Sequence, residues 1–89
     1  MVKYAACELG KFNIRVNAIS GGPIDTDALR AFPNYEQIKA EVEKISPLNR
    51  MGYPDDLAGM AYFLCTDEAG WITGQTFIID GGTTFGCKE

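Results

Sequence analysis

Val16-Asn17-Ala18-Ile19-Ser20 leads straight into Gly21-Gly22-Pro23-Ile24-Asp25-Thr26. A short strand thus meets paired glycines, a proline and a threonine able to cap a helix. In α/β proteins ligands bind just beyond the carboxyl ends of strands. Glycine lets bare backbone approach a flat cofactor, and a helix start offers unpaired N–H groups. Such a run is built to hold a ligand, whereas the side chains that would do chemistry beside it are not found in the chain. The same residues also read more simply, as a glycine turn followed by a helix cap with no ligand. Arg50, Asp56 and Asp80 are further polar candidates. Arg50, close to a helix start, is read as structural, bonding loop carbonyls or Asp56. Asp80, ahead of Gly81-Gly82, is read as a turn residue.

The elements around these residues follow from periodicity and breakers. Residues 2–9 read as helical turns with Val2, Ala5, Ala6 and Leu9 on one face and Gly10 as the stop. Residues 13–19 read as a strand, with Ile14, Val16 and Ala18 on one side and Arg15, Asn17 and Ile19 on the other. Thr26 caps a short helix, residues 27–32, ended by Pro33. Asn34 caps the next, with Gln37 placed for a capping box. Tyr35, Ile38, Val42 and Ile45 form its apolar stripe, and Ser46-Pro47 closes it. Pro54 suits the first turn of a third helix, with Asp55 and Asp56 at its positive end. Leu57, Met60, Ala61 and Leu64 make its buried face, widened by Phe63. Residues 67–70 form a turn. Residues 75–80 make a second strand, whose run Phe77-Ile78-Ile79 suits cover on both faces, and 83–89 form a short tail.

The expected order is therefore helix, strand, three helices, strand. Two strands joined by a helical crossover in one sheet should be parallel and right-handed. Two parallel strands alone leave an open row of N–H and C=O groups, so the pattern asks for more strands from elsewhere. The fold class read from this is α/β, a β-α-β portion of a Rossmann-like doubly wound parallel sheet, incomplete on its own. Residues 1–89 read as a single partial domain.

Bulk properties narrow the function classes. The net charge of −4 comes with no basic stripe, which argues against nucleic acid and anionic membrane as partners. The longest uncharged stretch, 57–66, is too short to span a bilayer. No leader pattern opens the sequence. Cys7, Cys65 and Cys87 lie far apart, and with no histidine and no paired-cysteine motif no metal site is expected. Three reduced thiols in a cytoplasmic protein is the reading that follows.

Four segments in order resemble the C-terminal third of the short-chain dehydrogenase/reductase family. They are Glu8-Leu9 with Ile14-Arg15-Val16-Asn17-Ala18-Ile19; Pro47 to Arg50 with Pro54, Asp56 and Ala58; Gly74-Gln75; and Asp80-Gly81-Gly82. Within the family, residues 20–29 with Phe32-Pro33-Asn34 look most like bacterial NADPH-dependent enoyl-acyl-carrier-protein reductases of the third type. Most members carry proline where this chain has Gly21; the enoyl reductases tend to have a small residue there.

The resemblance implies that Gly22, Pro23, Ile24 and Thr26 line the nicotinamide end of NADPH. The backbone of Ile24 would bond the carboxamide, and the Thr26 hydroxyl would reach the carboxamide or a phosphate. It also implies that residues 27–45 form a substrate-side lid, with Leu29, Phe32 and Tyr35 as acyl contacts. Ordinary packing of a small helical pair explains those three equally well. Trp71-Ile72-Thr73, the last strand and the face of Leu57 to Leu64 lie where the family builds subunit contacts. The family's catalysis uses a tyrosine that donates a proton and a lysine that lowers its pKa and holds the ribose. By the resemblance these and the dinucleotide fingerprint precede the matched region, so no catalytic residue is assigned here. Tyr35/Lys39 and Tyr4/Lys11 have suggestive spacings but stand in the wrong place relative to Asn17.

Three readings of function remain open. The chain is a segment of an NADPH-dependent enoyl-thioester reductase of fatty-acid biosynthesis, inactive alone, or a segment of a 3-oxoacyl reductase or other short-chain dehydrogenase. It is a non-catalytic truncated paralogue or interaction module, or it is a remnant without function. The expected partners are a second copy or full-length reductase subunits, with an acyl-carrier-protein or acyl-CoA thioester as substrate of the parent enzyme.

Overall fold

A computed structural model describes residues 1–86. The order is α1 (Val2–Leu9), β1 (Ala18–Gly21), α2 (Asp27–Arg30), α3 (Tyr35–Ile45), α4 (Pro54–Leu64) and β2 (Thr76–Ile79), with 3₁₀ turns at Gly10–Phe12, Asp67–Ala69 and Thr83–Phe85. β1 and β2 are parallel neighbours, pairing Ala18 with Thr76, Ile19 with Phe77, Ser20 with Ile78 and Gly21 with Ile79. This is the expected α/β arrangement.

Several boundaries differ from the sequence reading, each for a local reason. The strand starts at Ala18 rather than at residue 13. Asn13 is left-handed (φ 61°) and ends the 3₁₀ turn that extends α1. α1 itself ends at Leu9 with Gly10 as its C-cap, as expected, although Gly10 has right-handed angles and the chain continues through a 3₁₀ turn to Phe12. Residues 14–17 are tied to the far strand's approach by other means: Val16 N–H donates to Thr73 Oγ1 (3.1 Å) and Val16 C=O accepts from Gly74 (2.8 Å). Asn17 donates to Ile72 C=O (3.0 Å) and accepts from Gln75 N–H (3.1 Å). One amide side chain thereby fixes the register of two segments before the ladder begins.

α2 ends at Arg30, short of Phe32. The capping box at Asn34 is not formed: Asn34 (φ −100°, ψ 24°) lacks the extended geometry of a cap and its side chain makes no capping bond. One half of such a box occurs instead at α4. Pro54 occupies its first turn, and the Asp56 carboxylate accepts from the Tyr53 N–H at 2.6 Å. Arg50 grips that carboxylate with two bonds (2.9 and 3.1 Å) and donates to Met51 C=O (2.8 Å). Asp80 accepts from Gly82 N–H (2.8 Å) and Thr84 N–H (3.2 Å), the turn role expected of it.

The Arg50 guanidinium, then the Tyr53 N–H, hold Asp56 at about 2, below its usual 3.8. A carboxyl whose folded value is depressed supports the fold above its unfolded value and loses that support as pH falls through the folded one. Helicity at α4 should therefore decline between about pH 4 and about pH 2. An Asp56 carboxyl titration by NMR checks the midpoint, and Asp56→Asn should remove that part of the acid transition.

The core is thin. Among the described residues the buried apolar ones are Ala6, Val42, Met51 and Ala69. α4 covers the sheet face of Gly21, where an added Cβ would meet Leu57 at 3.0 Å. The opposite face is open: Ser20 and Thr76 are exposed, and Ile78 is 65% exposed, so β2 is not covered on both sides as its composition suggested. Ala61 and Phe63 are likewise exposed rather than buried on α4, and Trp71 is fully out in solvent. The chain exposes 6642 Å², against roughly 5,100 Å² for a compact protein of its mass. Its radius of gyration is 16.1 Å, against about 12 Å for a compact chain of this length. Cys7 and Cys65 are free and exposed; Cys87 lies outside the described residues.

Candidate functional site

The run after β1 continues the strand rather than forming a glycine turn. Gly22 N–H donates to Ile79 C=O (3.0 Å), extending the ladder by one bond. An added Cβ on Gly22 would stand 2.6 Å from Asp80 Cβ and 2.9 Å from Asp80 Cα. Glycine is needed at 22 on steric grounds within the sheet itself, because the end of β2 passes there. Neither Gly21 nor Gly22 has a positive φ.

Beyond Gly22 the chain makes a parallel bridge between Ile24 and Gly52. Gly52 N–H donates to Pro23 C=O (3.0 Å), and Asp25 N–H donates to Gly52 C=O (2.8 Å). In a parallel bridge of this kind the central residue's own N–H and C=O point to the other side. Ile24 therefore presents one donor and one acceptor away from Gly52. Thr26 follows in extended geometry, and its hydroxyl oxygen accepts from Leu29 N–H (3.2 Å), the cap expected from sequence. The hydroxyl proton is left to donate elsewhere.

Pro23 and Ile24 also line a cavity of about 140 Å³ with Arg50, Met51, Gly52 and Asp80. Gly22, Thr26, Leu29, Phe32 and Tyr35 do not line it. Leu29 is half-buried on α2, and Phe32, in the bend between α2 and α3, is exposed. Tyr35 opens α3 half-buried, with its phenol donating to Asp25 Oδ2 (3.0 Å).

Asp25 is the residue the sequence reading passed over. Its side chain is 6% exposed and takes Arg30 Nε on one oxygen (3.0 Å) and Arg30 Nη2 on the other (3.2 Å), besides Tyr35. Arg30 holds the Asp25 carboxyl below the usual carboxylate range, against the opposing effect of burial. Burial and then the Asp25 carboxylate push the Tyr35 phenol up. A tyrosine activated by a neighbouring lysine would shift down, so the Tyr35/Lys39 spacing does not produce that chemistry here. The only advance signal for Asp25 was the i, i+5 spacing of opposite charges across a short capped helix.

Residues 1–84 match the family described as Enoyl-(Acyl carrier protein) reductase. An uncharacterized oxidoreductase of Mycobacterium tuberculosis (strain H37Rv) is 52% identical over 82 residues, which are 92% of this chain and 33% of that protein. The chain belongs to the short-chain dehydrogenase/reductase family. The NADH-dependent enoyl-acyl-carrier-protein reductase FabI of Bacillus subtilis (strain 168) is 41% identical over 81 residues, 91% of this chain and 31% of the relative. The solved structure of a 4-hydroxyisoleucine dehydrogenase mutant complexed with NADH and succinate superposes with a TM-score of 0.84 at 37% identity, over 94% of this chain and 35% of that one. The chain thus spans about one third of the length of the curated relatives it matches. As a short-chain dehydrogenase/reductase sequence it has the family's parallel β-α-β arrangement, with the Ile24–Thr26 segment at the carboxyl end of β1.

Proposed function

We propose that this chain forms the nicotinamide-side wall and substrate lid of an NADPH-dependent reductase acting on 2-enoyl thioesters. The observation that carries the reading is the Ile24 backbone. Its N–H and C=O point away from the Gly52 bridge, beside a Thr26 hydroxyl with a proton to donate. A carboxamide has one acceptor and one donor group, and a backbone N–H and C=O at adjacent positions complement it. Gly22 and Pro23 shape the approach to that pair, with Gly22 fixed by the ladder. When bound, the cofactor supplies a hydride. The residues of this chain orient its headgroup and exclude water on the lid side. Leu29 and Phe32, with the ring of Tyr35, are the apolar surface offered to an acyl chain.

The family description and the similarity to FabI support an enoyl thioester, on an acyl carrier protein or coenzyme A, as the substrate class. The uncovered sheet face supports association with further reductase surface, from a second copy or from full-length subunits. The excess of roughly 1,500 Å² over a compact chain exceeds the ~800 Å² that each partner buries in a standard interface.

The test is a titration of the isotopically labelled chain with reduced nicotinamide mononucleotide, followed by amide chemical shifts. Shifts concentrated at Ile24 and Thr26, saturating only in the millimolar range, are the expected result. Shifts absent there at saturating ligand, or centred on α3, would remove the headgroup role. Diffusion measured on the same samples should give a dimer or larger, and a stable monomer would count against self-association.

A further inference from the structure

We infer that Asp25 is a positioning residue, a single buried carboxylate that ties α2 and α3 to the Pro23–Ile24 segment. The inference goes beyond the cofactor reading and stands on geometry alone. α2 contributes no buried residue, and α3 contributes only Val42. Neither helix packs extensively on another element. Apolar burial is what usually fixes a helix to its domain, and here it is nearly missing. The chain between them, residues 31–34, contains Pro33, so the two helices are not one continuous rod.

Against that background the Asp25 contacts are well placed. Arg30 is the last residue of α2 and Tyr35 is the first residue of α3. Both reach the same carboxylate, from the two sides of the bend. The carboxylate therefore sets the angle between the helices as well as their distance from β1. Its own backbone is pinned, since Asp25 N–H donates to Gly52 C=O at 2.8 Å. Position is passed from the Ile24–Gly52 bridge through one side chain to the whole of residues 27–45. A fork of two parallel N–H···O bonds resists rotation in a way that a single contact does not. Phe32 and Leu29 ride on the tethered segment, so the tether decides where those apolar side chains stand relative to Ile24. Only that last consequence, for an apolar substrate, rests on the reductase reading.

The experiment is amide hydrogen exchange on the full chain, without cofactor or substrate. A failed nicotinamide titration therefore leaves its outcome untouched, and the reverse also holds. Asp25→Asn keeps the shape but removes the charge and the matched pair of acceptors. Exchange across residues 27–45 should speed by roughly tenfold, with β1, β2 and α4 within about twofold of the parent. Arg30→Lys keeps the charge and loses the fork, and should give an intermediate increase over the same residues. The double variant Asp25→Asn with Arg30→Gln should exchange no faster than Asp25→Asn alone, since both break one unit. Where Asp25→Asn does not fold, Tyr35→Phe, which keeps the ring and loses the hydroxyl, must still accelerate α3. Unchanged exchange in 27–45, a uniform increase over the whole chain, or additive effects of the two substitutions would each overturn the tether.

Discussion

Gly22→Ala should lower the melting temperature by at least about 10 °C. Overpacking costs about 1–3 kcal/mol and occasionally more, and about 1 kcal/mol moves the midpoint of a domain this size by 4–8 °C. The upper end applies here because of what the methyl would strike. The nearest atoms are Asp80 Cβ at 2.6 Å and Asp80 Cα at 2.9 Å, not the tip of a flexible side chain. Asp80 cannot step aside cheaply, because its carboxylate holds Gly82 and Thr84 and its carbonyl accepts from Thr83. Gly59→Ala is the matching control. Gly59 lies inside α4, with nothing within 4 Å of an added Cβ. There alanine should stabilise by about 0.5–1 kcal/mol. Thermal unfolding by circular dichroism of both variants separates the cases; equal midpoints would refute the steric account.

Asn17→Ala should cost about 1–2 kcal/mol, a drop of roughly 5–15 °C. Two bonds vanish together: the amide donated to Ile72 C=O and the one accepted from Gln75 N–H. Both lie on the segment that leads into β2, so their loss frees the approach of that strand as well as two polar groups. Asn17→Asp discriminates between the roles. It can still accept from Gln75 but faces the Ile72 carbonyl with a second acceptor, so at neutral pH it should be no better than alanine. Urea unfolding at matched temperature measures both, and an aspartate variant as stable as the parent would show that the Ile72 bond contributes nothing.

These two residues also mark where sequence reasoning succeeds and where it stops. α4 was legible because its determinants are adjacent in the chain: Pro54 at the first turn, Asp55 and Asp56 behind it, Arg50 just ahead. Thr26 was legible for the same reason, its partner Leu29 being three residues on. The start of β1 was not. Residues 14–17 have the right alternation, but β2 offers only four residues to pair with, and Asn13 takes a left-handed turn. The need for glycine at 22 was visible as a motif, yet its cause, Asp80, sits on the other strand. Asn34 precedes α3 but makes no capping bond, because after the bend at Pro33 it sits at φ −100°, ψ 24° rather than in extended geometry. Asp25 was missed because one of its two partners, Tyr35, meets it only across that bend. In the candidate site, the spacing of residues indicated Thr26 and the Ile24 segment. The division between cavity, bridge and tether needed coordinates.

The sheet has a kinetic consequence. Asn17 and Gln75 are 58 positions apart, and every bond between β1 and β2 closes a loop of comparable size. Loop closure on that scale must be completed before any ladder bond rewards it. The three intervening helices are short and thinly packed, so they do little to shorten the search. Sheet formation thus depends on a long-range encounter, separate from the nearer Ile24–Gly52 bridge, and the side chain of Asn17, bonded to both Ile72 and Gln75, is placed to fix its register.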